Sequence, residues 1–190
     1  DEIVVTNGVY GIGGRSVYGT MTNRVAVGKL LTVRSVNGPQ FTIIRGYQVP
    51  LQLGGPNGNG AIRCVSLTNG ATLSGFTLTS GATTLAGNGG GVLCQSTNPL
   101  VTNCILVGNS ADLNGGGVDG GTLNNCTVTS NSANYGGGAY YSTLNNCTVT
   151  SNSAQSGGGA YYSTLNNCTL TGNSAIFGGG ASDSTLNNCT

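Results

Sequence analysis

Apolar positions in the C-terminal half of the chain recur in a short, strict rhythm. In residues 122–131, TLNNCTVTSN, Leu123 is followed by two asparagines, and then Cys126 and Val128 alternate with Thr127 and Thr129. A period of two puts Cys126 and Val128 on one face of a strand and both threonines on the other. We read Leu, Cys and Val as interior and Thr as exterior. The string returns at 143–152 and, with Leu for Val and Gly for Ser, at 164–173; residues 136–148 and 157–169 are identical. Units beginning at each Gly triplet span 89–114, 115–135, 136–156 and 157–177, with a fragment at 178–190. Cys104, Cys126, Cys147, Cys168 and Cys189 follow one another at intervals of 22, 21, 21 and 21 residues.

A fixed internal period signals a solenoid or a propeller. A propeller blade needs about 40 residues, and the leucine framework of a leucine-rich repeat is missing. Twenty-one residues without helical periodicity fit one three-sided coil of a parallel β-helix. The expected class is therefore all-β. The Gly triplets and Ser-Asn-Ser-Ala segments supply corners, where positive φ or close backbone approach is needed. Asn103, Asn125, Asn146, Asn167 and Asn188 precede the cysteines and are expected to stack as an amide ladder at a bend.

Earlier residues follow the plan less regularly. LSGFTLTSG (73–81) aligns with LNNCTVTSN and places Phe76 at the cysteine position; GGGVLC (89–94) aligns with GGGAYY (136–141). Strand-like runs stand at 3–5, 24–27, 30–33 and 41–44, separated by Gly, Asn and Pro. We expect one β-helix domain of seven or eight coils: irregular over 1–60, longer over 61–114, regular over 115–190 and continuing beyond 190.

IVVTNGVY at the start, followed by LLTVRSVNGPQFTIIRG, resembles the first coils of right-handed parallel β-helix proteins of the pectin-lyase-like kind. The GGGA…VTSN repeat is similar to the Gly-Gly and x-x-x-Asn repeats of bacterial polymorphic outer-membrane and autotransporter-type passengers. LVGN (106–109), VTSN (128–131 and 149–152) and LTGN (170–173) fill the second element, with Val or Leu where that family often has Phe. The resemblance implies a right-handed coil and secretion or display at the outer cell surface. It implies little about activity, because such coils carry many functions.

Composition narrows the chemistry further. Only 6% of residues are charged, Gly numbers 35 of 190, and His and Trp are absent, against about 25% charged residues in an average domain. A mean hydropathy of +0.05 argues against disorder, and no apolar run reaches the roughly 18 residues of a membrane helix. All six basic residues lie in the first 63, giving that segment +4, while Asp112, Asp119 and Asp183 leave the remainder at −3. The basic residues are scattered, unlike the dense stripe of a nucleic-acid surface.

Catalysis finds few candidates. Glycoside cleavage needs two carboxyls about 5–9.5 Å apart, and Asp119 and Asp183 stand near equivalent positions three coils apart, roughly 14 Å. No basic residue follows Arg63. GGGVDGG (115–121) is a single copy, whereas Ca²⁺-binding repeats need an Asp in each. We therefore expect no catalytic, metal or cofactor site. The cysteine column reads as buried thiols, since coils about 4.8 Å apart strain a disulfide whose Cβ atoms want about 3.8 Å. The Asn-Cys-Thr sequons at 125, 146, 167 and 188 are expected to be unavailable for glycosylation if their asparagines form the ladder.

Two surface arrays remain. Tyr140 and Tyr141 stack over Tyr161 and Tyr162, with one column, Tyr140 and Tyr161, expected to be free for sugar rings. Thr127, Thr129, Thr148, Thr150, Thr169 and Thr171 form a flat T-x-T grid similar to the ice-facing arrays of β-helical antifreeze proteins. The leading expectation is a non-catalytic secreted or cell-surface structural or adhesive protein: a stalk, fibre or filament. It would associate with itself end to end or laterally, and with carbohydrate or another cell-surface ligand. The alternatives are a polysaccharide lyase or glycosidase with its site outside the regular repeats, and an ice-binding protein.

Overall fold

The structure is a computed structural model that describes every residue except Tyr18, Thr20 and Asn69. Its regular structure is almost all strand, with one 3-10 turn at Leu51–Leu53. Each regular coil contributes three short strands, and equivalent strands of successive coils pair in parallel. Three long stacked sheets result, with a small fourth where Ser153–Ser156 pairs with Ser174–Phe177. The first, which we call the leucine sheet, runs over eight strands from Glu2–Val5 through Thr122–Asn124 to Thr185–Asn187. The threonine sheet runs over seven, from Gly8–Tyr10 through Thr127–Thr129 to Thr169–Thr171. The tyrosine sheet contains Thr22–Val27, Ile62–Leu67, Val92–Cys94 and the short strands Val118–Asp119, Ala139–Tyr140, Ala160–Tyr161 and Ala181–Ser182. This is a parallel β-helix solenoid. Arg15–Ser16 departs from it by pairing antiparallel with Thr22–Val27, and Tyr47 bridges Ile62 in the same antiparallel sense.

Register is what turns the sequence repeat into a core. Leu123 pairs with Leu144, Leu144 with Leu165 and Leu165 with Leu186; Val128 pairs with Val149 and Val149 with Leu170. Leu73, Leu123, Leu144 and Leu165 are fully buried, as are Val128, Val149, Ala139 and Ala160. Replacing Leu144 by Ala should cost about 2–5 kcal/mol, because coils locked by hydrogen bonds above and below cannot collapse into the void. The fall in the urea midpoint checks it.

The corners turned by Asn, Ser or Tyr obey one rule. A residue with left-handed φ faces outward, and the residue after it turns inward. Asn125 (φ 54°) precedes buried Cys126, Ser130 (φ 56°) precedes buried Asn131, and Tyr141 (φ 47°) precedes buried Ser142. Two consecutive outward residues at each corner reset the in–out alternation of the strands. The expected asparagine ladder is corrected by this rule. Asn103, Asn125, Asn146, Asn167 and Asn188 all have φ between 52° and 54° and are exposed. A single side-chain bond links that column, from Asn188 Nδ2 to Asn167 Oδ1 at 2.7 Å. Asn and Gly tolerate left-handed φ best, so these asparagines serve the backbone of the corner.

The buried ladder belongs to the next corner. Asn109, Asn131 and Asn152 each pass an amide N–H to the Oδ1 of the next asparagine at 3.0 Å, ending at Asn173, whose amide donates to the Val149 carbonyl. Asn131 and Asn152 also bond the carbonyls of Leu106 and Val128. A second, half-buried ladder joins Asn124, Asn145, Asn166 and Asn187 at 2.8 Å. Since Asn125, Asn146, Asn167 and Asn188 are exposed, burial does not withhold these sequons from glycosylation.

Candidate functional site

The outer face of the tyrosine sheet gathers stacked aromatic rings and carboxyls in one place. Pairing in register places Leu93 against Asp119, Asp119 against Tyr140, Tyr140 against Tyr161 and Tyr161 against Ser182. One outward column thus contains a carboxyl followed by two rings. Tyr140 and Tyr161 stack with centroids 5.9 Å apart and planes inclined by 16°. Alternation along the strand would turn Tyr141 and Tyr162 inward or toward a corner. They stand at the corner, where a φ of 47° and 48° breaks the alternation and turns both rings outward. They stand edge-on to their neighbours at 5.0 and 4.5 Å, and they are the more exposed pair, at 58% and 46%. Tyr135, from the preceding corner, leans on Tyr161 at 5.5 Å. Five rings form one patch.

Two carboxyls bracket it. Asp119 is pushed up to about 7 by burial, with the opposite charge of Arg63 working against the rise. Asp183 takes the corner position that Tyr141 and Tyr162 hold in earlier coils. Tyr161 is pushed up to about 12, first by the Tyr162 hydroxyl and by burial, then by the charges of Tyr162 and Asp183. Tyr140 is raised by burial, by Tyr141 and by Asp119. Arg63 is itself enclosed. Its guanidinium donates to Asn23 Oδ1 at 2.6 Å and to the carbonyls of Asn88 and Gly89 at 2.6 and 2.8 Å, and burial lowers it to about 10. No charge run or motif announced this Arg63–Asp119 neighbourhood, because coil stacking alone brings the two together.

Asp119 has a definite consequence for stability. A carboxyl whose folded value lies above its ordinary 3.8 favours folding below that value and loses the contribution as pH rises towards 7. Asp119→Asn should therefore stabilise the protein at pH 8 and leave it nearly unchanged at pH 3.5. Thermal unfolding at the two pH values checks this, and a loss at pH 8 would contradict it.

The other predicted residues are placed as follows. Cys104, Cys126, Cys147 and Cys168 are buried and Cys189 is half-buried; all are free thiols. The Cys126 and Cys147 amides point at the sulfurs of Cys147 and Cys168, 3.4 Å away. Among the described residues, no three His, Cys, Asp or Glu side chains are grouped to hold a metal ion. The T-x-T grid lies on the threonine sheet, with Thr127, Thr148 and Thr169 in one row and Thr129, Thr150 and Thr171 in the other. Ile105 and Val107 interrupt it, and beyond them Thr77 donates to the Pro39 carbonyl at 2.7 Å. An apolar cavity of about 540 Å³ opens at the first coils, lined by Ile3, Val5, Val27, Leu31, Ile44 and Phe76 among others. Among the described residues, no helix is long and apolar enough to cross a membrane.

Among solved structures, the chain is similar to pectin methylesterase PemA from Erwinia chrysanthemi, with a TM-score of 0.52 over 91% of its length. The chain is a right-handed parallel β-helix. It spans 57% of that enzyme and shares 13% of its residues, a likeness of fold alone. No family description matches this β-helix, and no curated protein matches it significantly.

Proposed function

We propose that this β-helix is a non-catalytic structural or adhesive element, secreted or displayed at the outer surface of a bacterial cell. The supporting observation is the exactness of coil-on-coil register. Leu pairs on Leu, Thr on Thr and Ala on Ala through successive coils, so whatever the surface presents is presented repeatedly, whereas catalysis needs unlike groups converging once. Asp119 is the carboxyl on the tyrosine face with altered ionisation, and Asp183 lies about three coils, or roughly 14 Å, away. That exceeds the separation used by paired glycosidase carboxyls.

One observation favours a carbohydrate-active enzyme instead. Asp119 titrates near neutrality beside the charge of Arg63, as a general acid would, and the fold neighbour is a pectin methylesterase. Incubating the purified chain with a polysaccharide panel, with and without Ca²⁺, separates the readings. The proposal expects no release of sugar or methanol; turnover that disappears in Asp119→Asn would establish the enzyme.

A further inference from the structure

We infer that the five-tyrosine face is a binding platform for an uncharged polysaccharide, lying along the stack of coils. The inference rests on the adhesive reading above and names the ligand class for it. Tyrosine rings on a flat β-face offer broad, rigid contact to the apolar faces of sugar rings, with hydroxyls left for hydrogen bonds. Here the rungs repeat along the helix axis, Tyr140 to Tyr161 at 5.9 Å and Tyr141 to Tyr162 at 5.3 Å. A polymer of ring-shaped units can meet one rung after another.

Backbone conformation argues that the rings do more than fill space. Tyr141 and Tyr162 occupy left-handed φ, which disfavours any side chain with a Cβ. The preceding coil has Gly120 next to Asp119 at this corner, with φ 77°. Glycine makes the turn without that cost, so the turn does not call for tyrosine. Strain of this kind collects where side-chain direction matters to function, and here it holds two rings 58% and 46% exposed.

Charge selects among polysaccharides. Asp119 and Asp183 stand beside the rings, and no Lys or Arg follows residue 63. Arg63, the basic side chain nearest in register, is 4% exposed and its donors are engaged. Nothing on the face would compensate the carboxylates of a uronate polymer, and Asp183 would repel them. The platform therefore excludes acidic polymers such as pectin's backbone and accepts neutral ones.

Affinity electrophoresis in native gels containing hydroxyethyl cellulose, galactomannan or polygalacturonate tests this. We expect retardation by at least one of the two uncharged polymers and none by polygalacturonate. Tyr161→Ala should weaken retention about tenfold, the scale of one lost ring contact, while Tyr161→Phe, which keeps the ring, should retain it. Unchanged thermal unfolding of both variants shows that the fold is intact, and Tyr162→Ala provides a second, more exposed substitution. Preferential retardation by polygalacturonate, no retardation by either uncharged polymer, or equal retention by the alanine variants would overturn the inference. Sugar release assayed in the same samples reports separately on the non-catalytic reading, so the two can fail independently.

Discussion

Gly137→Ala should unfold the regular coils at a urea concentration well below that of the wild type, a loss of at least about 3 kcal/mol. Gly137 has no unusual φ, so alanine is allowed there by its backbone. Space is what forbids it. A Cβ would fall inside contact distance of the Ser153 and Gly158 carbonyl oxygens, both of them backbone atoms, the first in the same 21-residue unit and the second in the next. A side chain could rotate away from such a contact; a carbonyl locked in the stack cannot. Gly137 donates to Gly157, and Gly138 donates to Gly158, so relief requires separating two coils and breaking those bonds. Because each coil of a solenoid is held mainly by its neighbours, the lesion should also uncouple the coils on either side and lower the slope of the transition. Gly108→Ala is the control. Its φ of 64° disfavours alanine, yet nothing lies within 4 Å of its Cβ position, and serines occupy the equivalent corner at 130 and 151 with φ near 55°. It should lose only about 1–2 kcal/mol.

Much of this architecture was legible in the repeat. Alternation of Cys126 and Val128 with threonines identified the inward face, and the 21-residue interval identified the coil. Phe76 was placed at the cysteine position from alignment alone, and it is buried with its amide 3.4 Å from the Cys104 sulfur. The corners were not legible. Asn125 and Asn131 both recur once per coil, each before or after a small polar residue, and residue type does not say which takes left-handed φ. Only the conformation decides that Asn125 faces water while Asn131 enters the core. The same ambiguity hid the second pair of tyrosines, since period-two reasoning fails at a left-handed residue. Asp119 and Arg63 escaped for another reason. They lie 56 residues apart, separated by the longer coils before residue 115, where no fixed period sets the register in advance. The adjacency of Leu93 to Asp119, and of Ser66 to Leu93, is a property of the stack.

Alkaline pH should destabilise the protein steeply, with the loss beginning near pH 9 in reducing buffer. Cys64, Cys94 and Cys104 are 0–5% exposed, and burial pushes all three thiols up, Cys64 to about 12, Cys104 to about 11 and Cys94 higher still. In the unfolded chain they titrate near the ordinary value of 9. The folded thiols thus keep protons that the unfolded chain releases. Their stabilising contribution is complete below pH 9 and is lost as pH climbs from 9 towards 11, where Cys104 begins to ionise in place. Each such proton changes stability by about 1.4 kcal/mol per pH unit, so three together give about 4 kcal/mol per unit across that window. A rise of two units removes as much free energy as many domains possess. Unfolding free energies measured by urea at intervals from pH 8 to 11 should show a slope of at least three protons, because the Cys147 and Cys168 thiols are raised as well, and Cys104→Ala should reduce it by one proton. A stability that stays level to pH 11 would mean that the thiols ionise in place and that the column is not dry.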